Sequence, residues 1–151
     1  MKIEEILKTS AKLSDQKKLV ILLQIIANES SSQINSALKP FEVSIQQFNV
    51  LRILRGQKGK PANLQTIQDR MVNKMSNTTR LVDKLIEKNL VDRCICEENR
   101  RKVEIFITEK GLKLLAEIDP LIEDKEKEIT QNLNQNEITQ LNSLLEKLND
   151  K

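Results

Sequence analysis

Histidine is absent from this chain, and so are tryptophan and tyrosine. Without an imidazole there is no Ser-His-Asp or Cys-His nucleophile, no histidine metal ligand and no histidine pH switch. Three phenylalanines are the only aromatic residues, which leaves no platform on which successive unpaired bases would stack. The two cysteines, Cys94 and Cys96, are too few for a disulfide framework or a four-thiolate zinc site. Long apolar runs are missing as well. The longest covers residues 19–27 and is interrupted by Gln24, short of the about 18–20 residues that span a bilayer. Glu4 and Glu5 stand where a secretory signal would be basic and then apolar. A cytoplasmic protein that is not an enzyme and holds no metal or cofactor is expected.

What is present is a globular composition, 38% hydrophobic and 31% charged in 151 residues, which suits one domain with a real core. The net charge of +3 is unevenly spread. From Arg52 to Lys110 there are 14 Lys and Arg against 8 Asp and Glu, leaving 11 against 14 elsewhere. A basic middle between acidic ends fits an electrostatic footprint for phosphate, and it equally fits charges that only solvate helix surfaces.

Apolar spacing and capping residues organise the chain. Residues 3–8 suit a short helix with Ile3, Ile6 and Leu7 on one side. Ser14 or Asp15 can cap a long helix to about Leu38, with Leu19, Leu22, Leu23, Ile26, Ile34 and Leu38 on a stripe, ended by Pro40. Ser44 caps a helix over residues 45–55, followed by a loop at Gly56 and Gly59 and a very short edge strand or extended lead-in at Pro61. Asn63 can cap a short helix ending near Met71. A further helix is expected from Met75 or Ser76 to Lys88, with Leu81, Leu85 and Ile86 inward and Asn89 left-handed at its end. Two strand-like runs follow, residues 90–96 and 103–107, around the charged tip Glu97-Glu98-Asn99-Arg100-Arg101-Lys102. Thr108 caps a helix that Asp119-Pro120 should kink or restart, and Asn134 with Glu137 opens a last one carrying Ile138, Leu141, Leu144, Leu145 and Leu148. The fold class is mainly α (α+β), with long helices at both ends.

Two strings in this order resemble the MarR family of winged helix-turn-helix regulators. Residues 99–111, Asn-Arg-Arg-Lys-Val-Glu-Ile-Phe-Ile-Thr-Glu-Lys-Gly, are similar to the family's wing signature. Residues 79–91, Thr-Arg-Leu-Val-Asp-Lys-Leu-Ile-Glu-Lys-Asn-Leu-Val, are similar to its recognition helix and following strand. Asn99 replaces the usual wing aspartate, which removes a carboxylate that would brace a wing arginine, and Asn89 replaces the usual glycine. The resemblance implies one MarR-like domain over residues 1–151. Within it, 41–111 would form the winged helix-turn-helix lobe, with its core at 61–110, and 1–40 with 112–151 would form the dimerisation helices.

It also implies a sequence-specific, double-stranded DNA-binding regulator. The expectation is a ligand-responsive repressor that acts as a homodimer on a palindromic operator, with a small-molecule effector. In a helix-turn-helix the second helix offers its N-terminal residues to base edges in the major groove. The candidates there are Lys74, Ser76, Asn77, Thr78, Thr79 and Arg80: Asn77 to pair with adenine, Ser76 or Thr78 to reach bases or phosphates, and Arg80 for phosphate. Ser76 alternatively only caps the helix. At the wing, Arg101 is the candidate for the minor groove, with Arg100 and Lys102 on phosphates; the plainer alternative is a solvated hairpin tip. Two other readings stay open. One is a winged-helix protein–protein interaction module without DNA binding. The other is a thiol-based redox-sensing regulator using Cys94 and Cys96, against which stands inert strand packing.

Overall fold

A computed structural model describes residues 1–95, 97–99 and 101–150. It is mostly helical with one small antiparallel hairpin. The elements are α1 (Ile3–Ile6), α2 (Asp15–Leu38), α3 (Ile45–Gly56), α4 (Leu64–Arg70), α5 (Thr78–Glu87), β1 (Val91–Ile95), β2 (Val103–Ile107), α6 (Glu109–Thr130) and α7 (Gln135–Asn149).

Most helix starts follow from one side-chain oxygen taking an otherwise unpaired backbone N–H. Ser14 accepts from Lys17 at α2, Asn63 from Thr66 at α4, and Thr108 from Gly111 at α6. Ser44 with Gln47 and Asn134 with Glu137 form reciprocal boxes at α3 and α7. Pro40 ends α2 through a 3-10 turn over Lys39–Phe41, after which Glu42 takes a left-handed φ of 57°. Three boundaries differ from expectation. The helix α1 stops at Ile6 rather than Lys8, where Lys8 turns left-handed. Gly56 is the last residue of α3 rather than part of the loop, and the reversal falls on Lys58 and Gly59, both at positive φ.

The third is Pro120, which begins no new helix: α6 runs through it for 22 residues. Proline removes one ladder hydrogen bond, but neighbours on both sides are anchored. Ile118 and Ile122 are buried, and Asp119 pairs with Arg55 of α3 at 2.6 Å and 3.3 Å.

One apolar cluster joins α2, α3, α4, α5, the hairpin and α6, with Leu51, Ile67, Leu85, Ile105 and Leu115 fully buried at its centre. Neither α1 nor α7 contributes to it. Ile3 is buried, and Lys18 of α2 sits beside Glu4, holding its carboxyl below the usual carboxylate range. The helix α7 buries no residue.

The hairpin pairs Val91 with Ile107 and Ile95 with Val103. Ala62 adds a third, one-residue rung by exchanging both backbone hydrogen bonds with Ile105 at 2.7 and 2.8 Å. The lead-in after Pro61 is therefore a minimal edge strand, as its sequence suggested. At the other end, Asn89 is left-handed at φ 60°, a conformation asparagine tolerates. The Thr108 hydroxyl donates to Asn89 O at 2.7 Å and accepts from Gly111 N–H at 3.1 Å. A Cβ on Gly111 would lie 2.4 Å from Leu90 O and 2.7 Å from Ile107 Cγ1. Gly111 is thus glycine because the start of α6 presses on the hairpin backbone. Replacing it, Gly111→Ala, should destabilise the protein by roughly 1–3 kcal/mol through overpacking, read as a lower urea midpoint; an unchanged midpoint would show that the junction yields.

Candidate nucleic-acid interface

The segment expected to face DNA is built by α4, a turn and α5. Asn73 sets the turn: its Oδ1 accepts the Met75 N–H at 3.0 Å and its carbonyl accepts the Ser76 N–H at 3.1 Å. The chain then stays extended until α5 begins at Thr78, later than the expected Met75 or Ser76. The cap is Asn77, whose Oδ1 accepts from Arg80 N–H at 3.2 Å. Ser76 is not the cap. Its hydroxyl is buried and has no hydrogen-bond partner among the described residues.

Thr78 needs a firmer correction, because it is buried and its hydroxyl donates to Gln68 Oε1 on α4. The Gln68 amide in turn donates to Lys74 O at 2.9 Å. Gln68 therefore ties the turn and the first residue of α5 to α4, and the Thr78 hydroxyl is engaged within the fold. The sequence held no signal for Gln68, since a mid-helix glutamine is ordinarily a solvated one. Lys74, Asn77, Thr79 and Arg80 are exposed, and the Lys74 ammonium folds back to the Asp69 carbonyl. Further along α5, Val82 and Leu85 are buried while Leu81 and Ile86 are half-buried against the core. Asp83, Lys84 and Glu87 are exposed with Thr79 and Arg80. The outer face of α5 therefore extends beyond its N-terminal turn to Asp83, Lys84 and Glu87.

At the wing, Cys96 and Arg100 lie outside the described residues. Asn99 closes the tip through backbone: its Oδ1 accepts the Arg101 N–H at 3.2 Å and its carbonyl accepts the Lys102 N–H at 2.8 Å. Asparagine favours this local turn, so a bracing role survives the loss of the carboxylate, with the backbone rather than the guanidinium as its object. Arg101 and Lys102 are exposed. The wing is also tied to the helix face: Arg93 of β1 pairs with Asp83 of α5 at 3.1 Å. Both are about half-exposed, so the pair contributes at most about 1 kcal/mol. Cys94 is exposed opposite Glu104, so inert packing does not describe it.

Helix, turn, helix and a basic hairpin on one core make a winged helix-turn-helix. A family model described as the MarR family matches residues 43–103. The winged lobe over those residues is of the MarR type. That likeness is to DNA-binding transcription regulators. Solved MarR-family structures share the fold beyond the matched lobe. A transcription factor from Planctomyces limnophilus is 29% identical with a TM-score of 0.70, over 90% of this chain and 98% of that one. An E. coli MarR mutant complexed with operator DNA gives 24% and 0.78, over 87% and 94%. BpsR of Bordetella bronchiseptica, whose DNA binding is regulated by 6-hydroxynicotinic acid, gives 21% and 0.81, over 93% and 99%. Among the described residues no group of three or more Cys, Asp and Glu could hold a metal ion, and no helix is long and apolar enough to cross a membrane.

The reassignment of Thr78 has a direct check. Thr78→Val removes the hydroxyl and leaves Gln68 Oε1 unpaired, which should cost about 1–2 kcal/mol of folding stability. Full stability with altered base discrimination would return Thr78 to the DNA-contacting set.

Proposed function

We propose that this protein is a ligand-responsive repressor of the MarR type that binds a palindromic duplex operator as a homodimer. The observation that carries the dimer is α7. It is a 15-residue amphipathic helix with a complete capping box, yet it buries nothing, and Leu141, Leu144 and Leu148 are 44–63% exposed. A helix of that length is marginal in water without tertiary packing. Leu19, Val20 and Ile26 of α2, with Ile6 and Leu7 near α1, are exposed as well. A second copy meeting these faces would cover all of them at once. Residues 1–40 and 112–151 then form the dimer stem, and 41–111 form the DNA-binding lobe.

On DNA, Lys74, Asn77, Thr79 and Arg80 would meet the major groove, with Ser76 supporting them from below. Arg101 would enter the minor groove beside Arg100 and Lys102. Two lobes on a two-fold axis favour half-sites about 34–36 Å apart. The fold shared with the operator-bound E. coli MarR mutant supports this reading. A protein–protein interaction module is the alternative that basic groups on both the helix and the wing disfavour.

For the ligand, a cavity of about 440 Å³ opens between α2, α3, α6 and the turn before α5. Ile34, Ile45, Phe48 and Ile122 give it apolar walls, while Arg52 lies over the Phe48 ring at 5.6 Å. Glu126, Asn35 and Asn49 line it beside Arg52, so apolar walls with polar groups of both signs suit a small amphipathic effector. Val72 and Asn73 also line it, so an occupant would touch the turn that positions α5. A larger polar concavity of about 620 Å³ near the start of α3 is more open, and its Lys88 ammonium already binds Glu42 O and Gln47 Oε1.

Three outcomes are expected. Specific duplex affinity should fall by roughly 10³–10⁵ between 50 and 200 mM salt; no binding to any duplex at low salt would favour the interaction module. Arg101→Ala should weaken specific binding by roughly 1–3 kcal/mol, and unchanged affinity would remove it from the site. Truncation after Gln131 should abolish the dimer by sedimentation, whereas an intact dimer would make α7 dispensable.

A further inference from the structure

We propose that Met75 reads thymine, packing its thioether against a C5-methyl group in the major groove. The inference rests on the DNA-binding reading above and adds a specificity-determining contact to it. Met75 is 92% exposed, the most exposed large apolar side chain after the chain's first residue. Single exposed apolar residues are common, so exposure alone carries nothing. Its position does. The segment leading into α5 alternates: the Ser76 hydroxyl and the Thr78 side chain turn inward, while Met75 and Asn77 are exposed. Met75 therefore stands beside the Asn77 cap, at the end of α5 that carries the free N–H groups and the partial positive charge.

Its backbone is not loose, because its N–H is held by Asn73 Oδ1 and the adjacent Lys74 carbonyl is held by Gln68. The thioether projects from a pinned turn, between Lys74 and Asn77 and just ahead of the first turn of α5, which carries Arg80. Val72 is the other exposed apolar side chain of this turn, and two apolar groups among Lys74, Asn77 and Arg80 offer too little surface for an apolar protein partner. The polar, cationic setting suits a duplex, in which phosphates take the cations and the major groove offers one apolar group, the thymine methyl. Methionine, unbranched and polarizable, adapts to such a shallow contact.

The test uses full-length protein and duplexes that it selects from a random pool, with each thymine replaced in turn by deoxyuridine. That change removes the methyl and keeps the base pairing. Wild type should lose about three- to tenfold in affinity at one thymine per half-site, as expected for uncovering one methyl. Met75→Ala should bind the thymine and deoxyuridine duplexes equally, and Met75→Leu should restore the discrimination. Unchanged low-salt affinity of Met75→Ala for an unrelated duplex shows that the variant is folded and supports the contact. The proposal is overturned if wild type ignores every replacement, or if Met75→Ala discriminates as wild type does. Failure of wild type to bind any duplex would instead overturn the DNA-binding reading itself.

Discussion

Four segments of the chain meet where α5 ends, and the placement of α5 relative to the hairpin depends on that junction. Asn89 turns left-handed and hands the chain to Leu90, whose carbonyl accepts the Thr108 N–H at 3.1 Å. The Thr108 hydroxyl reaches back to Asn89 O, and the Lys110 ammonium reaches Lys88 O at 3.1 Å. Gly111 lets α6 lie directly on that backbone. The end of the recognition helix, both ends of the hairpin and the start of the long helix are thereby fixed together. Small residues and backbone groups do this, so a wing displaced at its root would also displace α5.

A second set of contacts holds α3 at both of its ends. Lys88 binds the Glu42 carbonyl and Gln47, tying the end of α5 to the box that starts α3. At the far end of α3, Arg55 pairs with Asp119 of α6. These polar ties are part-exposed and each is weak, but they sit at opposite ends of one helix and limit its rotation. The cavity lies alongside α3, with the turn before α5 forming part of its wall. Val72 and Asn73 belong both to that wall and to the turn before α5, so the effector proposed above would act on the turn through two residues rather than across the molecule.

Local chemistry was the legible part. Ser14, Ser44, Asn63, Thr108 and Asn134 each cap the helix expected of them, because a cap needs only one side-chain oxygen and a backbone N–H about three residues on. The alternating strands and the left-handed Asn89 were readable for the same reason. Errors fell where a distant partner decides. Ser76 and Asn77 are both good caps by type, and Asn77 took the role once Ser76 had been turned inward. Thr78 looked like a contact residue until Gln68, ten positions earlier, met it. Pro120 looked like a break, yet burial of Ile118 and Ile122 carries α6 through.

From the order of its residues alone, the chain determined its helix starts, its hairpin, its basic middle and its family likeness. All of these depend on groups a few positions apart or on composition. Only the tertiary structure decided which polar side chains on the helix-turn-helix are left to meet a partner. That outcome depends on which neighbours the fold brings within hydrogen-bonding distance: Thr78 is used by Gln68, whereas Asn77, Thr79 and Arg80 remain on the surface. Tertiary packing likewise left α7 without a buried face, since the apolar cluster closes between α2 and α6 without it.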